Sequence, residues 1–471
     1  MNSKKKGRFR GLKPVAFLLC ALALGALAAC SPEKPDVPEP AAFDPQEPLT
    51  ICFDLDSVLD PRHYSFSQDG SSKYTGAKQR REAVEQLLEA MKAQGGPENV
   101  QVEFVEGVGD ERDGQLTRLR AELMAGAGPD LFVVCQAGDG RDLFKFPEKK
   151  MEDGLFLPLD RYLEAPKFMD PGGMVQPIWD AGKSADGRQM LLPMTYDISV
   201  VAMRAEDVTL DPEKNYTLSD MLSGGTPWLT GALAHKIDEI DNTFGWNVIS
   251  LAFGQLADYK KEELRFTQED LGEILEGLLD FNQRANRGEL GDLPRGVGVE
   301  NPVNLPSAIQ EKSWRGDDLT LAPLYGREGG VTARVIHFAG VNANAGNPAG
   351  AFWAADFLLG EDYLQSSDFG MYLWCKTLPV CQNLLQEDKP LFYQRDKKNP
   401  EVNSTWSLNE DEWRAFTALR ERITDAEYPT VLDGTISQAY FDMFYSAEDE
   451  PARKKVITET YSKLKMLLGE S

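Results

Sequence analysis

Histidine is nearly absent, with three in 471 residues, and the six cysteines form no CxxC pair. No HExxH occurs either, so a zinc site of familiar spacing is excluded. Six cysteines are also too few to build a disulfide scaffold of this length. Basic residues are short as well: 50 Lys and Arg stand against 75 Asp and Glu, a net charge of -25. No basic patch gathers after the N-terminus, and such a chain repels phosphate backbones, which excludes nucleic-acid binding. There is no internal repeat. What is present is 42% hydrophobic and 10% aromatic residue content. That suffices for a large core in roughly two or three domains.

One apolar run stands apart. Residues 1–13 carry Lys4, Lys5, Lys6, Arg8, Arg10 and Lys13 with no acid, and residues 14–29 are apolar or small. This is the charged and hydrophobic pair of regions of a signal peptide, too short for a comfortable membrane span. It ends in Leu27-Ala28-Ala29-Cys30, which resembles the bacterial lipobox. The resemblance implies cleavage before Cys30, diacylation of its sulfur and attachment to the extracytoplasmic face of the cell membrane. Losing residues 1–29 removes six basic residues and no acid, which deepens the charge from -25 to -31. Residues 31–48, SPEKPDVPEPAAFDPQEP, then read as a stiff, solvated tether. Cys375 and Cys381 are spaced to close a small loop, whereas Cys52 and Cys135 sit in apolar runs and read as packed small hydrophobes.

The folded part begins with a short apolar run at 49–53. Helical stripes follow at Ala83, Val84, Leu87, Leu88 and Met91, then at Leu116, Leu119, Leu123 and Met124. Between and after them lie strand-like runs at 100–105 and 131–135. The β-α-β-α-β order predicts a parallel sheet covered by helices. Residues 157–160 read as the opening of a short helix, 182–187 as a turn and 190–203 as extended chain. Helices are expected at 347–359, 406–422 and 450–468, the last with Ile457, Tyr461, Leu464 and Leu468 on one stripe.

Several blocks carry a family likeness. Residues 119–132, LRAELMAGAGPDLF, resemble the helix, glycine turn and "GPD" strand start of the sugar-binding type of extracellular solute-binding proteins of bacterial ABC importers. Leu157-Pro158-Leu159-Asp160, Asp186-Gly187-Arg188-Gln189 leading to Leu192-Pro193, the run from Val341 through Trp353 to Gln365, and Leu378-Pro379-Val380 are similar to later blocks of that family, in the same order. The resemblance implies an α/β, two-lobe, periplasmic-binding-protein-like (type II) fold with an inter-lobe cleft and hinge crossings. It divides the chain into lobe 1 at 49–195, lobe 2 at 196–335, a return to lobe 1 at 336–380 and a C-terminal helical part at 381–471, mainly in lobe 2. It implies a monomer without cofactor or catalysis that captures a small solute, a sugar or oligosaccharide, and delivers it to membrane permease subunits. Another solute, such as a peptide, a polyamine or a metabolite, is the alternative within the same fold.

A second likeness competes. Residues 49–60, LTICFDLDSVLD, resemble the D-x-D strand of haloacid-dehalogenase-type phosphatases. On that reading Asp54 is a nucleophile and Asp56 an acid/base beside magnesium, with Asp139 and Asp142 as later metal-binding acids. It leaves some 300 C-terminal residues unaccounted for and lacks the family's lysine at its separation from those acids.

Sugars are held by flat rings stacking on C–H faces and by carboxylates or amides bonded to hydroxyls. At strand ends and the hinge, the solute-binding resemblance therefore selects Asp54, Asp56, Gln136, Asp139, Tyr196 and Asp197. Phe244 and Trp246 in TFGWN, and Tyr325 after the apolar run at 319–324, complete the candidate set. His235 and His337 read as surface or packed residues. The acid excess is read as a solvated surface that disfavours an anionic ligand.

Overall fold

The structure is a computed structural model. It describes residues 40–470 apart from 41, 56–63, 67–71, 75–76, 108, 139, 212–213, 240–245, 295, 297–318, 367–376, 385–391, 396–402, 407–409 and 448. The signal segment and Cys30 lie outside the described residues. Among those described, no helix is long and apolar enough to cross a membrane.

The first third follows the sequence pattern. Strand β1 (Leu49–Asp54) leads to α1 (Ala77–Ala93), β2 (Val100–Phe104), α2 (Asp110–Met124) and β3 (Leu131–Cys135). β1 pairs in parallel with both β2 and β3, as a right-handed β-α-β chain requires. β1 and β3 are buried on both faces and read as unbroken apolar runs, whereas β2, at the sheet edge, is half exposed. Leu116, Leu119 and Leu123 of α2 are buried, but Met124 is 91% exposed. Each helical residue turns about 100°, so the position after Leu123 rotates off the stripe.

Helices α3 (Pro147–Glu152) and α4 (Gln176–Asp180) come before β4 (Leu191–Ile198). The chain at 157–160 does not open a helix there; a single 3-10 turn forms at Tyr162–Glu164 instead. Leu157 donates its N–H to Val341 and Leu159 to Gln189, so this stretch is held extended against the sheet. A turn does form at 182–187, where Lys183 and Gln189 face each other in an isolated bridge. The Gly182 carbonyl accepts the N–H groups of both Met190 and Leu191. A Cβ on Gly182 would overlap the Leu191 carbonyl oxygen and crowd the Gln189 side chain. Gly182→Ala is therefore expected to lower the unfolding free energy by about 1–3 kcal/mol, read as a lower midpoint in urea unfolding at unchanged slope.

After Ser199 alone, the chain enters β5 (Val200–Arg204), which leaves the large sheet. The second lobe is assembled from α5 (Pro227–Glu239), α6 (Trp246–Leu251), α7 (Gln268–Asn286) and β6 (Leu319–Pro323), with β6 antiparallel to β5. The chain returns in β7 (Val331–Val341), followed by α8 (Pro348–Leu358) and β8 (Leu378–Pro379). It then forms α9 (Glu410–Glu421), β9 (Ile423–Glu427), α10 (Val431–Tyr445) and α11 (Glu450–Gly469). Trp406, expected to open a helix, instead ends a short strand (Asn403–Trp406) paired with Phe392–Arg395.

The large sheet is mixed rather than wholly parallel. Its order is β8-β4-β7-β3-β1-β2, with β9 alongside the first residues of β7. β7 runs antiparallel to β3 and β4 but parallel to β9. Three stretches thus link the lobes: β4 into β5, the start of β7, and β9 into α10. Buried apolar residues continue through all three, among them Ile198, Val200, Val331, Ala333, Ala426 and Tyr428.

Two of the blocks that carry the family likeness, 119–132 and 341–365, meet in one knot with the start of β1. Asp130 Oδ2 accepts the Thr50 N–H at 2.8 Å, and its Oδ1 accepts those of Gly346 and Asn347 at 2.7 and 3.2 Å. The Asn347 side chain caps α8 by accepting the Gly350 N–H at 2.7 Å and donates to the carbonyls of Glu47 and Pro48. Asn342 Nδ2 donates to the carbonyls of Ala127 and Pro129. Gly126, at φ 72°, supplies the left-handed turn that ends α2 before the knot.

Candidate functional site at the lobe junction

The carboxyl ends of β1 and β3 point toward the junction, where open α/β sheets bind ligands. Asp54 ends β1 fully buried, and both its oxygens face Arg112 Nη2, at 2.9 and 3.1 Å. The same nitrogen reaches the Arg141 carbonyl at 3.1 Å. A carboxylate held this way anchors the first turn of α2 to the sheet. Asp142 is likewise engaged, accepting the N–H groups of Ala137 and Gly138 at 3.0 and 2.7 Å. Gln136 is buried, and its Nε2 donates to the Phe144 and Pro429 carbonyls at 2.9 and 2.8 Å. It ties the loop after β3 to the third crossing, close to Gly138, where a Cβ would touch Pro429.

The first crossing carries Tyr196 and Asp197. Tyr196 is fully buried opposite Val335 and Leu378, and burial pushes its hydroxyl well above the ordinary phenol range. Asp197, on the opposite face of the strand, is half-buried and accepts the Ile198 N–H at 2.9 Å. Beside them Thr195 Oγ1 and His337 Nδ1 lie 2.7 Å apart in the interior.

Tyr325 sits inside the second lobe, 3% exposed, its ring 5.5 Å from that of Tyr216. Its hydroxyl accepts from Arg422 Nη1 at 3.4 Å, and Arg422 also clamps the Asp211 and Lys214 carbonyls. Tyr196 and Tyr325 are therefore interior side chains with no open ring face for a ligand. Their apolar flanks, which marked them as strand ends, are what bury them. Trp246 opens α6, but its side chain lies outside the described residues, as do Asp56, Asp139 and Phe244. Cys52, Cys135 and Cys381 are buried. Cys375, the expected partner of Cys381, also lies outside the described residues.

The most elaborate part of the junction escaped the sequence reading. Arg334, near the start of β7, places Nη1 2.6 Å from Glu427 of β9 and Nη2 2.7 Å from Asp433 of α10. Ser250 at the end of α6 joins them, accepting from Arg334 at 2.9 Å and donating to Asp433 at 2.5 Å. Asp433 also closes a capping box with Thr430, so one carboxylate serves the helix start and the crossing together. Glu148 of α3 approaches from the first lobe and accepts the Tyr428 N–H at 3.0 Å. Burial pushes Glu148 up to about 7, against the lowering effect of the Tyr428 N–H. Burial also raises Glu427, to about 8; Arg334 opposes this, while Asp433 and Glu148 add to it. A crevice of about 230 Å³ opens over this cluster, lined by Glu148, Glu152, Asp180, Tyr259, Arg265 and Glu427 among others. The sequence did hold signals: an arginine inside the apolar run VTARVIHF, and Thr430-x-x-Asp433 just beyond Glu427.

No family model matches this sequence, and no curated protein matches it. Solved structures do. An extracellular solute-binding protein of family 1 from Alicyclobacillus acidocaldarius superposes with a TM-score of 0.52 at 14% identity, covering 91% of this chain and all of that one. The bacterial solute receptor AcbH, described as exclusively preferring β-D-galactopyranose, gives a TM-score of 0.55 at 11% identity, covering 90% of this chain and 98% of that one. At such identities the likeness is one of fold. The chain has the two-lobed α/β fold of extracellular solute-binding proteins.

Proposed function

We propose that this chain is the lipid-anchored substrate-binding subunit of an ABC importer. It captures a sugar or oligosaccharide outside the cell and hands it to membrane permease subunits. The observation that carries the reading is the fold itself: two α/β lobes joined by three crossings, aligned over 91% of the chain with a solute-binding protein. AcbH, which shares the fold, is a receptor for a sugar. In this reading the lobes are residues 49–195 with 336–380, and 196–335 with most of 381–471, tethered through residues 31–48 to acylated Cys30. Asp56, Asp139, Asp197, Phe244 and Trp246 are the proposed ligand contacts, with Asp54 and Gln136 shaping the floor beneath them. Capture is a population shift, since a ligand touching both lobes favours the closed form by its differential affinity.

The test is a thermal-shift screen of the purified protein against mono- and oligosaccharides, with amino acids, polyamines and short peptides alongside. A sugar at 100 times its dissociation constant should stabilise the fold by about 2.7 kcal/mol, a rise of several degrees in Tm. Stabilisation by one of the other solutes, with every sugar silent, overturns the sugar assignment.

A further inference from the structure

The cluster over Arg334 is unbalanced. Three carboxyl groups, Glu148, Glu427 and Asp433, gather around one guanidinium, and they come from α3 of the first lobe, the third crossing and α10 of the second. Glu427 Oε2 accepts the Leu256 N–H at 3.3 Å, while Oε1 lies 2.6 Å from Arg334 Nη1 as an ion pair without hydrogen-bond geometry. Glu148 Oε2 is buried with no hydrogen-bond partner.

The surrounding charges do not neutralise the excess. Lys149 turns away to Glu262 at 2.6 Å and the Leu468 carbonyl at 3.3 Å. Lys183 pairs with Asp180, Lys261 with Asp258 at 2.7 Å, and Arg265 donates to the Ala257 carbonyl at 3.3 Å. Glu152 accepts the Ala185 N–H, and Lys260 stands exposed at the rim. Tyr428, buried, and Tyr259, half-buried beside the cluster, have hydroxyls that desolvation holds above the ordinary phenol range. An uncompensated buried carboxylate is costly unless it takes a proton or reaches water.

We propose that Glu148 and Glu427 together retain a proton that holds α3 against the third crossing, and that losing it as pH rises widens the crevice between them. Burial raises both carboxyls above their ordinary range, so the release comes as pH climbs from neutral into the alkaline range. Because Glu148 comes from α3 and Glu427 from β9, the ionised pair gains water as these two elements separate. Any regulation of solute capture that follows rests on the solute-binding reading. The opening itself does not, and it is measured with no solute present.

Hydrogen exchange of the Tyr428 amide, whose N–H spans the crevice to Glu148, reads the opening directly. Its protection factor, corrected for intrinsic exchange, should fall at least tenfold from pH 6 to pH 9 in the wild-type protein. Amides of β3 should hold their protection over the same range. In Glu148→Gln with Glu427→Gln the Tyr428 value should stay flat. Glu148→Gln alone, which keeps an acceptor for that N–H, should cut the fall by more than half. An unchanged wild-type protection factor overturns the proposal, whatever the variants do. So does an equal fall in the Gln variants, or one shared by the β3 amides. A sugar that binds in the thermal screen while Tyr428 stays protected at pH 9 overturns the latch and leaves the solute-binding reading standing.

Discussion

Arg334→Leu is expected to lower the unfolding free energy by about 3–5 kcal/mol at neutral pH, the range for removing one partner of a buried ionic cluster. The arginine is the guanidinium between Glu427 and Asp433, at 2.6 and 2.7 Å, and leucine would leave both carboxyls facing each other in an apolar junction. Much of the loss is the desolvation of what remains rather than the worth of the pair itself. The deficit should depend on pH with a definite sign. Glu427 is already raised by burial in the folded protein, and losing Arg334 raises it further. A carboxyl raised on folding lends stability that is complete below its unfolded value, about 4.3, and is lost as pH climbs through the folded value. The variant should therefore come nearest to wild type around pH 4–5 and fall furthest behind at pH 8–9. Chemical unfolding at these pH values measures it, and a deficit independent of pH would show that packing rather than charge dominates.

Asp130→Ala should be comparably damaging, by about 3 kcal/mol or more. Its carboxylate accepts three backbone N–H groups, from Thr50, Gly346 and Asn347, and alanine leaves all three without that acceptor in a region 8% exposed or less at Asp130. Each orphaned donor costs about 1–3 kcal/mol, reduced wherever water can enter. Asp130→Asn keeps one carbonyl oxygen and should recover part of the loss. Because this carboxylate ties the start of β1 to the start of α8, the variant should also unfold with a lower slope in urea if the α8 end frays separately. Equal stability of the Ala and Asn variants would contradict the hydrogen-bond account.

The strand and helix order of the first third could be read from residues because each element there answers to a local rule. β1 and β3 are apolar throughout, since helices cover both faces, and α1 and α2 carry stripes of the right period. The family blocks were legible for a related reason. Asp130, Asn342 and Asn347 each bond to main chain of distant segments, so the identity of these side chains is a structural requirement. The candidate ligand residues were harder. Tyr196 and Tyr325 stand at strand ends with apolar neighbours, and nothing local distinguishes a ring that faces a cleft from one turned inward. Asp54 could be located at the end of β1, but its partner Arg112 lies 58 residues away on another element.

The sequence by itself determined the strand and helix runs of the first third and their parallel β2-β1-β3 core. These follow from periodicity, which acts over short stretches of chain, whereas the knot at Asp130 joins residues 80 to 300 positions apart and took the tertiary structure to form. Tertiary structure alone decided that β7 would run antiparallel between β3 and β4. It also decided that Arg334, Glu427, Asp433 and Glu148 would meet at the junction. Their chemistry is ordinary in the sequence and becomes unusual through burial, which depends on where three distant crossings converge.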